Sequence, residues 1–171
     1  GETSVCEGSY NAYSIQRGLR LGHEARTDVL ELVLRGLDDQ PIRDRKTAFT
    51  LAVAIRNAVA ATLGIESSEL GCDTKPVRFL GEGNCQAIVV FDRSASGYAS
   101  SVADRLPQIL RAAADELNCV ESCDSACQHC LLNFDTRFRL DDLDRHAGQG
   151  FLSSEWLTAL QLPAQFAYFG P

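Results

Sequence analysis

Methionine is absent from this sequence, and residue 1 is glycine. Both features predict a fragment of a longer chain. A signal peptide, with its basic start, apolar middle and small-residue cleavage site, is missing. No apolar run approaches the length of a membrane span. A basic excess is missing too: 23 acidic residues face 16 basic ones, for a formal net charge of −7. Non-specific nucleic-acid binders draw affinity from neutralising phosphates, so this balance argues against that role for the domain as a whole. It leaves room for a local basic face. Arg17, Arg20, His23 and Arg26 cluster, as do Arg43, Arg45 and Lys46, and Arg137, Arg139 and Arg145. Solvated surface ion pairs are the plainer reading of each set. Internal repeats and low-complexity tracts are absent. The strand–loop–helix pattern at 86–100 carries one glycine in its loop, Gly97, and no lysine, far from the loop that cradles ATP phosphates.

What is present is ordinary for a soluble globular domain: 171 residues, 45% apolar and 23% charged. That length buries a core without covalent staples. TDVLELVL (27–34) reads as a buried strand ending in a polar loop. TAFTLAVAIRNAVAATLGI (47–65) sets Ala48, Leu51, Ala52, Ile55, Val59 and Leu63 on one helical face, with Asp44 or Thr47 as cap and Gly64 at the end. QAIVVFD (86–92) reads as a second buried strand. Beyond it, Ala99, Val102, Ala103, Leu106, Ile109, Leu110, Ala113 and Leu117 recur at helical spacing, and Pro107 predicts a kink or restart. Two short helices follow, with Asp141 and Ser153 or Ser154 as caps. The sum is an α+β domain, a mixed sheet with packed helices.

Four of seven cysteines fall between 119 and 130, in CVESCDSACQHC. Steps of four, four and three put Cys119, Cys123, Cys127 and Cys130 on one face of a straight helix. Only Val120 and Ala126 keep them apolar company, which argues against a core helix. A straight helix would also spread the outer two about 16 Å apart, whereas zinc–sulfur bonds of about 2.3 Å hold all sulfurs within about 4 Å. One shared ion therefore requires the chain to fold back: a helix ending near Cys119, a tight loop, and a new turn near Cys127. An odd cysteine count without a secretory signal argues against disulfides. Cys127-Gln-His-Cys130 as a redox pair lacks its usual strand-to-helix setting. Cys123, Cys127 and Cys130 also match the spacing of radical S-adenosylmethionine enzymes, but the 41 residues after Cys130 cannot build the barrel. Four sulfurs with no open position describe a structural site, zinc first and an iron–sulfur cluster as the alternative. Four thiolates on Zn²⁺ carry net −2, so Arg137, Arg139 or Arg145 is expected to lie close. His129 is a possible substitute ligand. Cys6, Cys72 and Cys85 read as free, buried thiols.

The cysteine run, Leu131-Leu132 after it, and Leu143-Asp144-Arg145 resemble the MrfA-like zinc-binding domain. Gly22 to Leu30, the helix from Ala48 to Leu63 with LGIESSEL, and Phe91-Asp92 through Gly97-Tyr98 extend the likeness over about 18–152. That domain sits at the C-terminal end of a group of superfamily 2 DNA helicases. Relatives occur in bacterial DNA repair and antiphage defence, sometimes on a separate partner protein. The resemblance implies one such domain over 1–171 with a zinc knot at 119–130, the four cysteines as ligands, and a cytoplasmic setting. It also implies a helicase motor in cis or in trans, with DNA reached through a local basic face and no membrane.

Three functions stand as expectations: a zinc-stabilised helicase accessory domain, a protein-docking module without DNA contact, and an enzyme. The enzyme reading would need Asp28, Asp92, Asp141, Asp142 and Asp144 to gather around Mg²⁺; helix caps and ion pairs are the plainer use of these residues. Arg26 and Asp28 share a strand face, as a buried pair or a partner surface.

Overall fold

The computed structural model describes residues 22, 24, 26–79 and 83–160. Strand β1 (Val29–Leu32) leads through a loop to helix α1 (Arg45–Leu63), then to strands β2 (Leu70–Phe79) and β3 (Gly83–Asp92). Helices α2 (Leu106–Leu117), α3 (Arg145–Phe151) and α4 (Ser154–Ala159) come after them. The sheet is antiparallel, in the order β1-β3-β2.

α1 is the middle of the molecule. It packs on β2 and β3, while α2 and α3 pack on α1 rather than on the sheet. It is therefore buried almost all round, from Ala48 to Arg56 and again from Ala58 to Ala60, not along the single face expected. Its many alanines let neighbours approach from every side. Asp44 caps the start, accepting from the Thr47 amide (2.7 Å) and hydroxyl (2.6 Å). Gly64, at φ 68°, ends the helix in the left-handed conformation.

β3 is the central strand, and Ala87, Ile88 and Val90 are fully buried. The 27–34 segment corrects an expectation: only four residues form strand, and they lie at the sheet's edge with Val29 49% exposed. Its apolar run covers only one face of the core. β2 was not legible at all. Pro76, Lys75 and Asp73 break its pattern, which an edge strand tolerates because one side of its backbone needs no partner.

Residues 98–105 form turns and a short 3-10 segment, and α2 starts at Leu106 with Pro107 in its first turn. Pro107 is thus a restart, and Ala103, expected inside the apolar stripe, is exposed. Ile109, Leu110, Ala113, Ala114 and Leu117 make the buried stripe of α2. Asp141 lies in a 3-10 turn; the cap of α3 is Asp144 and that of α4 is Ser153. Gly148 brings α3 close to its neighbours, because a Cβ there would stand 3.1 Å from Leu117 and from Thr50. No helix is long and apolar enough to cross a membrane, among the described residues.

Candidate metal centre

α2 ends at Leu117, and residues 118–139 form no further helix or strand. The chain turns at 119–122, where the Ser122 amide donates to the Cys119 carbonyl (3.0 Å) and Ser122 takes a positive φ of 49°. It turns again at 127–132, where the amides of Cys130 (3.1 Å) and Leu132 (3.0 Å) both donate to the Cys127 carbonyl. The fold-back demanded by the spacing is therefore made by two turns, one presenting Cys119 and Cys123, the other Cys127 and Cys130.

The four Sγ atoms lie within 4.8 Å of one another. Cys119 to Cys127 is 3.5 Å, Cys123 to Cys130 is 3.7 Å, and Cys127 to Cys130 is 3.8 Å. A tetrahedron with bonds of about 2.3 Å has edges of about 3.8 Å, so the set fits one ion. Disulfides need about 2.05 Å, and all four thiols are free. An iron–sulfur cluster distributes its cysteines over several irons and spreads the sulfurs beyond such contacts. His129 is exposed and outside the group.

The thiols are unequal. Amide donation from Cys123, and then from Glu121, pulls Cys119 down to about 6 despite its burial. Burial pushes Cys130 up to about 12, and raises Cys123 as well. Without a cation, four sulfurs this close cannot all ionise. A divalent ion removes that conflict, because a coordinated thiol is deprotonated.

The knot is continuous with the core. Cys119, Cys130 and Leu131 are buried in the same apolar cluster as α1 and α2. Leu143-Asp144-Arg145 fastens it from below. Leu143 is fully buried. The Asp144 amide donates to Thr50 Oγ1 of α1 (2.8 Å), and its carboxylate caps α3 through the amides of His146 (3.0 Å) and Ala147 (3.1 Å). The Arg145 amide donates to the Ser125 carbonyl (2.9 Å), and its buried guanidinium donates to the Cys123 carbonyl.

Residues 51–131 match the family model of the MrfA Zn-binding domain. No curated protein matches the chain. A crystal structure of the DUF1998 helicase MrfA bound to DNA is similar, with a TM-score of 0.44 and 16% identity over 67% of this chain. The match covers 16% of that protein, so this chain spans about a sixth of its length. The matched stretch holds most of α1, all of β2, β3 and α2, and all four cysteines, and stops before Leu143-Asp144-Arg145.

The other expected residues are dispersed. Arg26 and Asp28 are exposed and make no ion pair with each other. Asp92 is buried and organises the loop after β3, accepting from the amides of Ser96, Tyr98 and Ala99. Asp142 pairs with Arg139 (2.9 Å). Among the described residues the cysteines are the one group of His, Cys, Asp or Glu gathered as for a metal, so no acidic Mg²⁺ site forms. Cys85 is buried and free, and Cys72 is half-buried and free, with burial raising its thiol to about 11. Arg17, Arg20, His23 and Cys6 lie outside the described residues.

Two features escaped the sequence reading. Arg56, only 1% exposed, donates to Asn57 (2.8 Å) and reaches Asp135, which also pairs with Arg93 (2.6 Å). This ties the segment after the knot to α1 and to the end of β3. The signal available was a lone arginine within an alanine-rich helix. The second is an exposed aromatic turn at 133–139, whose signal was two phenylalanines four residues apart.

Proposed function

We propose that Cys119, Cys123, Cys127 and Cys130 hold one zinc ion in a structural role. The observation that carries this is the closed set of four sulfurs at tetrahedral spacing, continuous with the core. Among the described residues no fifth side chain joins the group, and four sulfurs fill a tetrahedral set without an open position for a reactant, which suits a structural rather than a catalytic site. When bound, the ion cross-links the two turns. This chain's own residues do the rest: Arg145 and Asp144 seat the knot on α1, and Asp135 anchors the turn beyond it.

The domain on this reading is an accessory piece of a DNA helicase whose motor lies elsewhere in the chain or on a partner. Its place is the cytoplasm, where free thiols persist, and the family resemblance supports work in DNA repair or antiphage defence. It would help hold or orient DNA beside the motor. The net charge of −7 favours a second reading, a protein-docking module without DNA contact. Elemental analysis with a visible spectrum tests the zinc: one zinc per chain and no colour are expected, and a brown protein points to iron–sulfur. Cys127→Ser should lose both metal and thermal stability. Full metal content with unchanged melting would overturn the site.

A further inference from the structure

Immediately after the knot, residues 133–139 make a turn with its own framework. Thr136 is buried, and its hydroxyl donates to the Leu131 carbonyl (2.9 Å) while accepting from the Asn133 amide (2.9 Å). Asn133 Oδ1 accepts from the amides of Asp135 (3.1 Å) and Thr136 (3.2 Å), and the Arg137 amide donates to the Asn133 carbonyl (3.0 Å). The ion pairs of Asp135 with Arg93 (2.6 Å) and Arg56 (3.5 Å) anchor the turn to the core.

This rigid turn holds Phe134, Arg137 and Phe138 outward. Phe134 is 73% exposed and Phe138 82%. The Arg137 guanidinium lies 3.9 Å from the centroid of one ring and 4.5 Å from the other. Both rings stay largely exposed with the guanidinium over them. Burying a phenylalanine is worth about 1.5–3 kcal/mol, so two left in water on a fixed turn imply a use. Arg137 makes no ion pair among the described residues. Arg139 is neutralised by Asp73 and Asp142, and Arg145 is buried against a carbonyl. The expected basic face therefore reduces here to one unneutralised cation between two rings. A shallow groove lined by Gln128, Leu132 and Asn133 adjoins Phe134 and Arg137.

We propose that Phe134 and Phe138 stack bases of a single-stranded nucleic acid while Arg137 meets an adjacent phosphate. Flat π faces accept any base, and an unpaired guanidinium matches the backbone anion. A chain of net charge −7 can bind in this way because stacking, not bulk charge, supplies the affinity. The inference rests on the nucleic-acid-handling reading above and names its contact.

The test uses the zinc-loaded full chain and fluorescence anisotropy with labelled oligothymidylate and, in parallel, oligouridylate; the tighter of the two identifies DNA or RNA. Phe134→Ala and Phe138→Ala should each weaken binding roughly five- to tenfold, with zinc content and melting unchanged. Tryptophan at either position should preserve binding, and leucine should not. Arg137→Gln should lower the salt slope by about 0.7, one phosphate's worth. No binding by the zinc-loaded protein would overturn the site and leave the structural zinc standing. Leucine variants that bind like the parent would also overturn it, because an apolar protein-docking patch tolerates leucine and a stacking site does not. Loss of zinc in Cys127→Ser is read without nucleic acid, so the two proposals fail separately.

Discussion

The two halves of this domain are held by different forces. From β1 to α2, order comes from apolar burial: α1 is enclosed by the sheet and by two helices, and its core positions are small or apolar apart from Arg56. From 118 to 145 regular structure almost vanishes, and directional contacts take over: four sulfurs, a capping aspartate, a buried arginine on a carbonyl, and a threonine-centred turn. Burial tolerates small shifts, because many weak contacts share the load. A knot of four sulfurs and a few hydrogen bonds does not, since each partner is singular.

Removing the metal should therefore separate the halves more than any substitution. Zinc-binding free energies of about 10–16 kcal/mol in small zinc domains set the scale. Hydrogen exchange with and without a chelator should show 119–145 losing protection while α1 and β3 keep theirs. Equal loss in both halves would merge them into one cooperative unit. Ile55→Ala breaks the comparison from the other side. It opens a cavity in the fully buried α1 and should cost about 2–5 kcal/mol in denaturant melts, with zinc still stoichiometric.

Arg145→Ala is the next effect down. It leaves the Cys123 carbonyl without its guanidinium donor, at about 1–3 kcal/mol, and should loosen zinc about tenfold or more in a chelator competition. The smallest effect sharpens the burial-held half. Burial pushes Glu116 up to about 7, against the help of its hydrogen bond from Asn57 and the charge of Arg56. The folded state thus holds a proton that the unfolded chain releases near the ordinary value of 4.5. That contribution is complete below the unfolded value and is lost as pH rises through about 7. Stability should fall by about 1–3 kcal/mol between pH 5 and 8, and Glu116→Gln should flatten the profile in pH-dependent urea melts.

The same division governs what was legible beforehand. α1, its Asp44 cap and its Gly64 end, β3, and the restart at Pro107 all rest on local pattern, and all are found. The cysteine fold-back was legible on the condition that the four sulfurs share one ion, since metal–sulfur bond lengths exclude a straight helix. β2 was not, since an edge strand with Pro76 and alternating charges takes its identity from pairing with β3. Arg56 and Asp135 stand 79 residues apart, and an arginine's spacing does not disclose a distant carboxylate. Asp141 and Asp144 both suit a cap; the Thr50 hydroxyl, 94 residues away, accepts the Asp144 amide at the chosen start.

The four thiols lie within twelve residues of chain, whereas the Asp144–Thr50 contact closes a loop of 94. Chain-closure entropy grows with the logarithm of length, a difference of about 2 kcal/mol here. Capture of the ion therefore asks little of the rest of the molecule. On the proposed zinc reading, a growing chain could load the ion as soon as Cys130 is free, before Leu143-Asp144-Arg145 exists to clamp it. Synthesis order and loop length thus favour a knot that is tied first and docked afterwards.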